Sequence, residues 1–216
     1  MLRFRRAFAV ASLVCAPAPL LAQARFEGVI TARMMSMQNG AEVTYSLKGD
    51  QFRMDMSGRG MAMYTLHDAS KSSTLMVMPA QRMYMEMSQM AADAPGEHKM
   101  PDMKWTGKTE TVAGHECEHL LITGDDGQYD VCAVKGMGTF MATSSPMGGR
   151  GGAAQEAWQK LGRDVFPLKV QKVGGGVTFE VTSIQKKSLD DALFKVPDGF
   201  QKMDMGGMGR MGRPPL

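Results

Sequence analysis

The sequence predicts a mainly β chain, an antiparallel sheet with one covering helix. Three observations carry that prediction. Methionines recur at a spacing of two: Met54 and Met56, Met61 and Met63, Met76 and Met78, then Met83, Met85 and Met87. Residues two apart share one face of a strand, whereas a helix repeats at three and four. Short alternating runs are separated by Gly, Asn, Asp and Pro through the first two thirds of the chain. The one convincing helix is Ala153–Leu161, whose good helix formers carry an apolar stripe at Ala154, Ala157, Trp158 and Leu161.

The elements follow in order. Phe26–Met37 reads as a long first strand, closed by the hairpin dipeptide Asn39-Gly40. Val43, Tyr45 and Leu47 alternate with polar residues up to a turn at Gly49-Asp50. Phe52–Met56, Met61–Leu66, Thr74–Met78 and Arg82–Met87 continue the meander through connections at Gly58–Gly60, Asp68–Ser70 and Pro79-Ala80. Residues 89–104 are polar, contain Pro95 and Pro101, and read as a long loop. Strands resume at Trp105–Val112, His115–Thr123, Tyr129–Lys135 and Thr139–Thr143. A loop rich in Gly, Ser and Pro, Ser144–Gly152, leads into the helix. Leu168–Val173 and Val177–Ile184 supply the last two strands, and no repeat period suggests a solenoid or propeller.

Arg3, Arg5 and Arg6 precede a mostly apolar run, and Ala22-Gln23-Ala24 has the form of a cleavage site. The expectation is a signal peptide over residues 1–24, one β domain over 25–204 and a disordered Gly/Met/Arg tail over 205–216. The mature chain, cut near Ala24, is then periplasmic or secreted. The leader's run is too short and too broken by Pro17 and Pro19 to span a bilayer, and no later segment is long and apolar enough. Its three arginines account for the whole formal charge of +3, leaving 22 basic residues against 22 acidic ones. That balance gives no general support for electrostatic capture of nucleic acid or anionic lipid.

His115-Glu116-Cys117-Glu118-His119 spells the pattern of zinc metalloproteases, but that chemistry needs a helix to set both histidines one turn apart. Here the motif follows Val112-Ala113-Gly114 and runs into Leu120-Leu121-Ile122, the context of a strand after a turn. On a strand His115, Cys117 and His119 share one face, expected to be exposed, and the glutamates point away. Cys117 and Cys132 are the only cysteines beyond the leader and are expected to form a disulfide. A turn at Gly124-Asp125 would set Cys117 directly opposite Cys132, whereas one at Asp126-Gly127 would separate them. The run Gly148–Gly152 lacks the residues of a phosphate cradle and reads as a flexible linker. No catalytic constellation and no cofactor site emerges, so a non-enzymatic role is expected.

The methionines remain. Twenty-two of the 23 lie beyond residue 24, several times ordinary usage. Core filling explains some of them, because Met is flexible and apolar. An adaptable face for an apolar small molecule, lipid or acyl chain is the leading functional reading. That face would carry Met54, Met56, Met61, Met63, Met76, Met78, Met83, Met85 and Met87. The alternative is thioether binding of Cu(I), using Met83, Met85 and Met87 with His67, His115 or His119. Sacrificial oxidation of the thioethers is a third. The oligomeric state is not legible.

Ser188-Leu189-Asp190-Asp191-Ala192-Leu193-Phe194-Lys195-Val196-Pro197-Asp198-Gly199-Phe200-Gln201-Lys202-Met203 resembles the closing motif of the family called domain of unknown function 4412. Phe26–Ile30, Phe52–Met56 and Gly107–Cys117 are similar to earlier parts of that family, so the resemblance spans about residues 26 to 204. It implies an exported protein whose antiparallel sheet curves into a half-barrel like that of LolA-type lipoprotein carriers. Related folds hold acyl chains on an apolar face, and the family supplies no catalytic residues to carry over. The methionine excess, Cys132 and the Gly/Met/Arg tail depart from its usual pattern.

Overall fold

Alternation in the first strand translates directly into burial. The structure, a computed structural model, describes residues 26–35, 41–58, 61–87, 102–124, 127–138 and 165–203. In β1 (Glu27–Met34), Gly28, Ile30 and Ala32 are buried, and their neighbours are less so. Gly28 lies against the backbone of Gln185 and Lys186, where a Cβ would clash. The meander continues through β2 (Ala41–Lys48), β3 (Gln51–Gly58), β4 (Met61–Asp68), β5 (Ser73–Met78) and β6 (Met83–Glu86), all antiparallel. A 3-10 turn at Pro79–Gln81 makes the β5–β6 connection, closed by Arg82 in the left-handed region at φ 52°.

A second meander comprises β7 (Asp102–Val112), β8 (His115–Gly124), β9 (Gly127–Lys135), β10 (Val165–Lys172) and β11 (Val177–Lys186). β11 pairs with β1, so both meanders join one curved, open sheet of twelve strands in the order β12-β6-β5-β4-β3-β2-β1-β11-β10-β9-β8-β7. The expected all-antiparallel sheet is corrected at one place: β12 (Gln201–Lys202) pairs parallel to β6. The chain reaches β6 from Phe200 after crossing the sheet, a return that strand patterning does not encode.

Residues 102–104, expected in a loop, begin β7, while β10 starts at Val165, earlier than predicted. Among the described residues there is no α-helix, only two 3-10 turns. The covering helix expected at Ala153–Leu161 lies outside the described residues, as do residues 1–24, the strand expected at Thr139–Thr143 and the tail beyond Met203. No described helix is long and apolar enough to cross a membrane.

The main core joins Ile30, Tyr45, Phe52, Met54, Phe166, Leu168, Phe179 and Val181. Tyr45 is its hub, stacked on Phe52 and edge-on to Phe166 and Phe179. Its burial pushes the hydroxyl pKa well up. A second cluster of Leu120, Ile122, Val131, Ala133 and Val165 gathers on β8–β10.

Candidate functional site

The register of β1–β6 contains no shift within the β2–β6 pairings, so strand alternation can be followed across six strands. One row runs Ile30, Tyr45, Met54, Thr65, Met76, Met85, each residue paired with the next. Two residues along, Ala32 faces Val43, Val43 faces Met56, Met56 faces Met63, and Met78 faces Met83. Paired residues project to the same face, as do residues two apart on one strand. Met54, Met56, Met63, Met76, Met78, Met83 and Met85 therefore occupy one face, continuous with the core around Tyr45.

Met87 follows β6 immediately, and its N–H donates to the Thr74 carbonyl at 2.8 Å, which extends the same ladder. Met61 pairs with Gly58 at the end of the β3–β4 ladder. Burial declines along the first row: Ile30, Tyr45 and Met54 are essentially sealed, while Met76 and Met85 are only half-buried. The face thus begins as core and ends as accessible thioether surface.

The opposite face of β3–β6 is covered by the segment after β11. Tyr64, Leu66 and Val77 form a small core there, against which Leu75, Tyr84, Val196 and Phe200 pack. Glu27 accepts the Leu189 N–H at 2.7 Å, and Lys48 Nζ donates to the Leu189 carbonyl at 2.6 Å. Lys48 also pairs with Asp191 at 2.7 Å. These contacts hold the Glu27 and Asp191 carboxyls below, and the Lys48 ammonium above, their ordinary pKa values, through the Leu189 N–H for Glu27 and the Lys48–Asp191 hydrogen bond for the others. Arg53 grips Asp55, lies 3.8 Å above the Tyr64 ring centre and donates to the Leu193 carbonyl at 3.3 Å. The closing motif is therefore a strap, which leaves the methionines to the other face. The motif stands out in the sequence but its role does not, because apolar anchors such as Phe194 and Phe200 carry no periodic signal.

The His115–His119 motif lies on β8, as its context predicts, and no helix brings the two histidines together. The expected exposure fails, because Cys117 is buried and His119 is half-buried. His119 Nδ1 is 2.7 Å from Asp130 and Nε2 is 3.4 Å from Glu110, whose other oxygen accepts from Lys169 at 2.7 Å. The cysteines form a disulfide, but not by the expected register. Gly124 pairs with Gly127, so Cys132 stands opposite His119, not Cys117. The bond spans a diagonal with Cα atoms 5.3 Å apart; a twisted ribbon draws one of its diagonals close.

The mixed copper set is not gathered along the sheet. Met83, Met85 and Met87 belong to the β6 end and His115 and His119 to β8, with eight strands between them in the pairing order. His67 instead lies in the methionine region, opposite Phe52 and Thr74, with Nδ1 2.9 Å from Thr74 Oγ1. A cleft lies away from the methionines, lined by Trp105, Thr109, Glu116, Cys117, Glu118 and residues of β9.

A family model described as a domain of unknown function (DUF4412) matches residues 26–200. No curated protein matches the chain significantly. Among solved structures, that of PNGF-II superposes with a TM-score of 0.50 at 16% identity, over 86% of this chain and 32% of that one. The chain thus spans about a third of that protein's length. An uncharacterized conserved protein from Thermus thermophilus gives a TM-score of 0.49 at 12% identity, covering 84% of this chain and 91% of that one. At such identities the likeness concerns the fold alone.

Proposed function

The chain belongs to the family described as a domain of unknown function (DUF4412), and from that premise we propose that it is an exported, non-enzymatic binding protein. Its ligand is an apolar molecule, such as a lipid or acyl chain, held on the face bearing Met54, Met56, Met63, Met76, Met78, Met83, Met85 and Met87, with Met61 at its margin. One observation carries this reading: an unshifted register pools the thioethers of four adjacent strands on the face that the strap leaves alone. Unbranched thioether side chains repack around ligands of variable shape more readily than branched ones.

In this reading, residues 1–24 are a signal peptide and the mature chain acts in the periplasm or outside the cell. The curved sheet serves as a LolA-like half-barrel. The second reading, thioether binding of Cu(I), draws support from the ladder of His67, Thr74 and Met87 beside the methionine rows. Mass spectrometry of the full chain purified from its native compartment separates the two. Co-purified lipid without metal supports the carrier; stoichiometric copper without lipid overturns it.

A further inference from the structure

We propose that reduction of the Cys117–Cys132 disulfide opens a four-ligand site for a borderline-soft divalent cation, with Zn2+ the best fit. Its ligands are both sulfurs, His119 Nε2 and Glu110 Oε2. The site is independent of the methionine face. Glu110 stands opposite Cys117 on adjoining strands, and His119 stands opposite Cys132. Ligand atoms of Glu110, His119 and Cys132 lie within 4.8 Å of one another, and Cys117 Sγ is bonded to that of Cys132. A sulfur, an imidazole and a carboxylate already converge, and Cys117 Sγ, released beside them by reduction, would complete a set that suits tetrahedral zinc.

The groups that orient such ligands are already in place. Asp130 lies 2.7 Å from His119 Nδ1, so the tautomer that donates there leaves the Nε2 lone pair directed at Glu110. Lys169 holds Glu110 Oε1 at 2.7 Å, which leaves Oε2 as the oxygen facing Nε2, 3.4 Å away. A cation between these two acceptors would satisfy both. Lys169 also offsets part of the negative charge of two thiolates and a carboxylate.

The chemistry balances with a dithiol as reductant. Its two thiols give two electrons and two protons to the disulfide, which becomes two cysteine thiols while the reductant becomes a disulfide. Binding M2+ then releases both protons to solvent, and two metal–thiolate bonds replace the sulfur–sulfur bond.

The test titrates Co2+ and then Zn2+ into the full chain, oxidised or reduced with a non-chelating phosphine. The reduced protein is expected to bind one Co2+ with an intense thiolate-to-cobalt absorption, which Zn2+ abolishes. The oxidised protein shows no such band. His119→Ala and Glu110→Gln, each removing a ligand, are expected to weaken binding by at least about 10-fold, the lower end of what losing an outer-shell partner costs. Equal binding by the oxidised form, or unchanged affinity in both variants, overturns the proposal. Should reduction unfold the chain, added Zn2+ is expected to restore its circular dichroism. A reduced chain that stays unfolded in excess Zn2+, or stays folded without binding metal, also overturns it.

Discussion

Met56 on β3 stands directly opposite Met63 on β4. That pairing fixes the phase of the methionine face, because a slip of one residue would send one of them through the sheet. With Met76 opposite Met85 and Met78 opposite Met83, it turns a compositional oddity into a defined surface.

Position along that surface sets the expected cost of losing a thioether. Met54, sealed beside Tyr45, should cost about 2–5 kcal/mol when replaced by Ala. Met85, half-buried at the β6 end, should cost under about 1 kcal/mol. Urea unfolding of Met54→Ala and Met85→Ala checks the contrast, and equal losses would contradict a graded face.

Gly28 is required by crowding. A Cβ there would collide with the Gln185 carbonyl and meet Lys186 Cα at 3.0 Å, both backbone atoms that cannot swing aside. Gly28→Ala is expected to destabilise by about 1–3 kcal/mol, read as a lower denaturant midpoint. A neutral result would mean that β1 and β11 do not approach as closely as described.

The disulfide closes a loop with a sequence separation of 15. Its removal in Cys117→Ser/Cys132→Ser should cost about 3 kcal/mol, with a corresponding fall in Tm under oxidising conditions. If the double variant melts with the oxidised parent, the crosslink does not constrain the chain.

Asp68 turns β4 into β5. Its carboxyl is held down to about 2, first by the Ser70 hydroxyl and then by Lys71. A folded value below the ordinary 3.8 means the contribution is present above about 3.8 and is lost as the pH falls towards about 2. Asp68→Asn should therefore be less stable than the parent at neutral pH, and the difference should shrink through that window. Urea midpoints measured down the acid limb check it; a gap that widens on acidification would refute the assignment.

The strands and the shared methionine face were legible because both rest on a period of two, which regular pairing preserves through Met54, Thr65, Met76 and Met85. The sequence was less informative wherever regularity breaks. The register of Cys117 and Cys132 depends on the loop between Gly124 and Gly127, where several turns fit the same residues. The parallel return of Gln201 beside Met83 depends on a strap anchored through Glu27, Lys48 and Arg53, contacts about 140 residues or more apart in the chain. The partners of His119 come from β7 and β9, and no local pattern around the motif specifies them.

The most direct test of the binding role is titration of an environment-sensitive acyl probe into the full chain and into a Met76→Lys/Met85→Lys variant. The parent should bind the probe saturably, and the variant should lose at least tenfold in affinity while keeping its melting temperature within a few degrees. Undiminished binding by a folded variant, or no saturable binding by the parent, would contradict an apolar ligand on the methionine face.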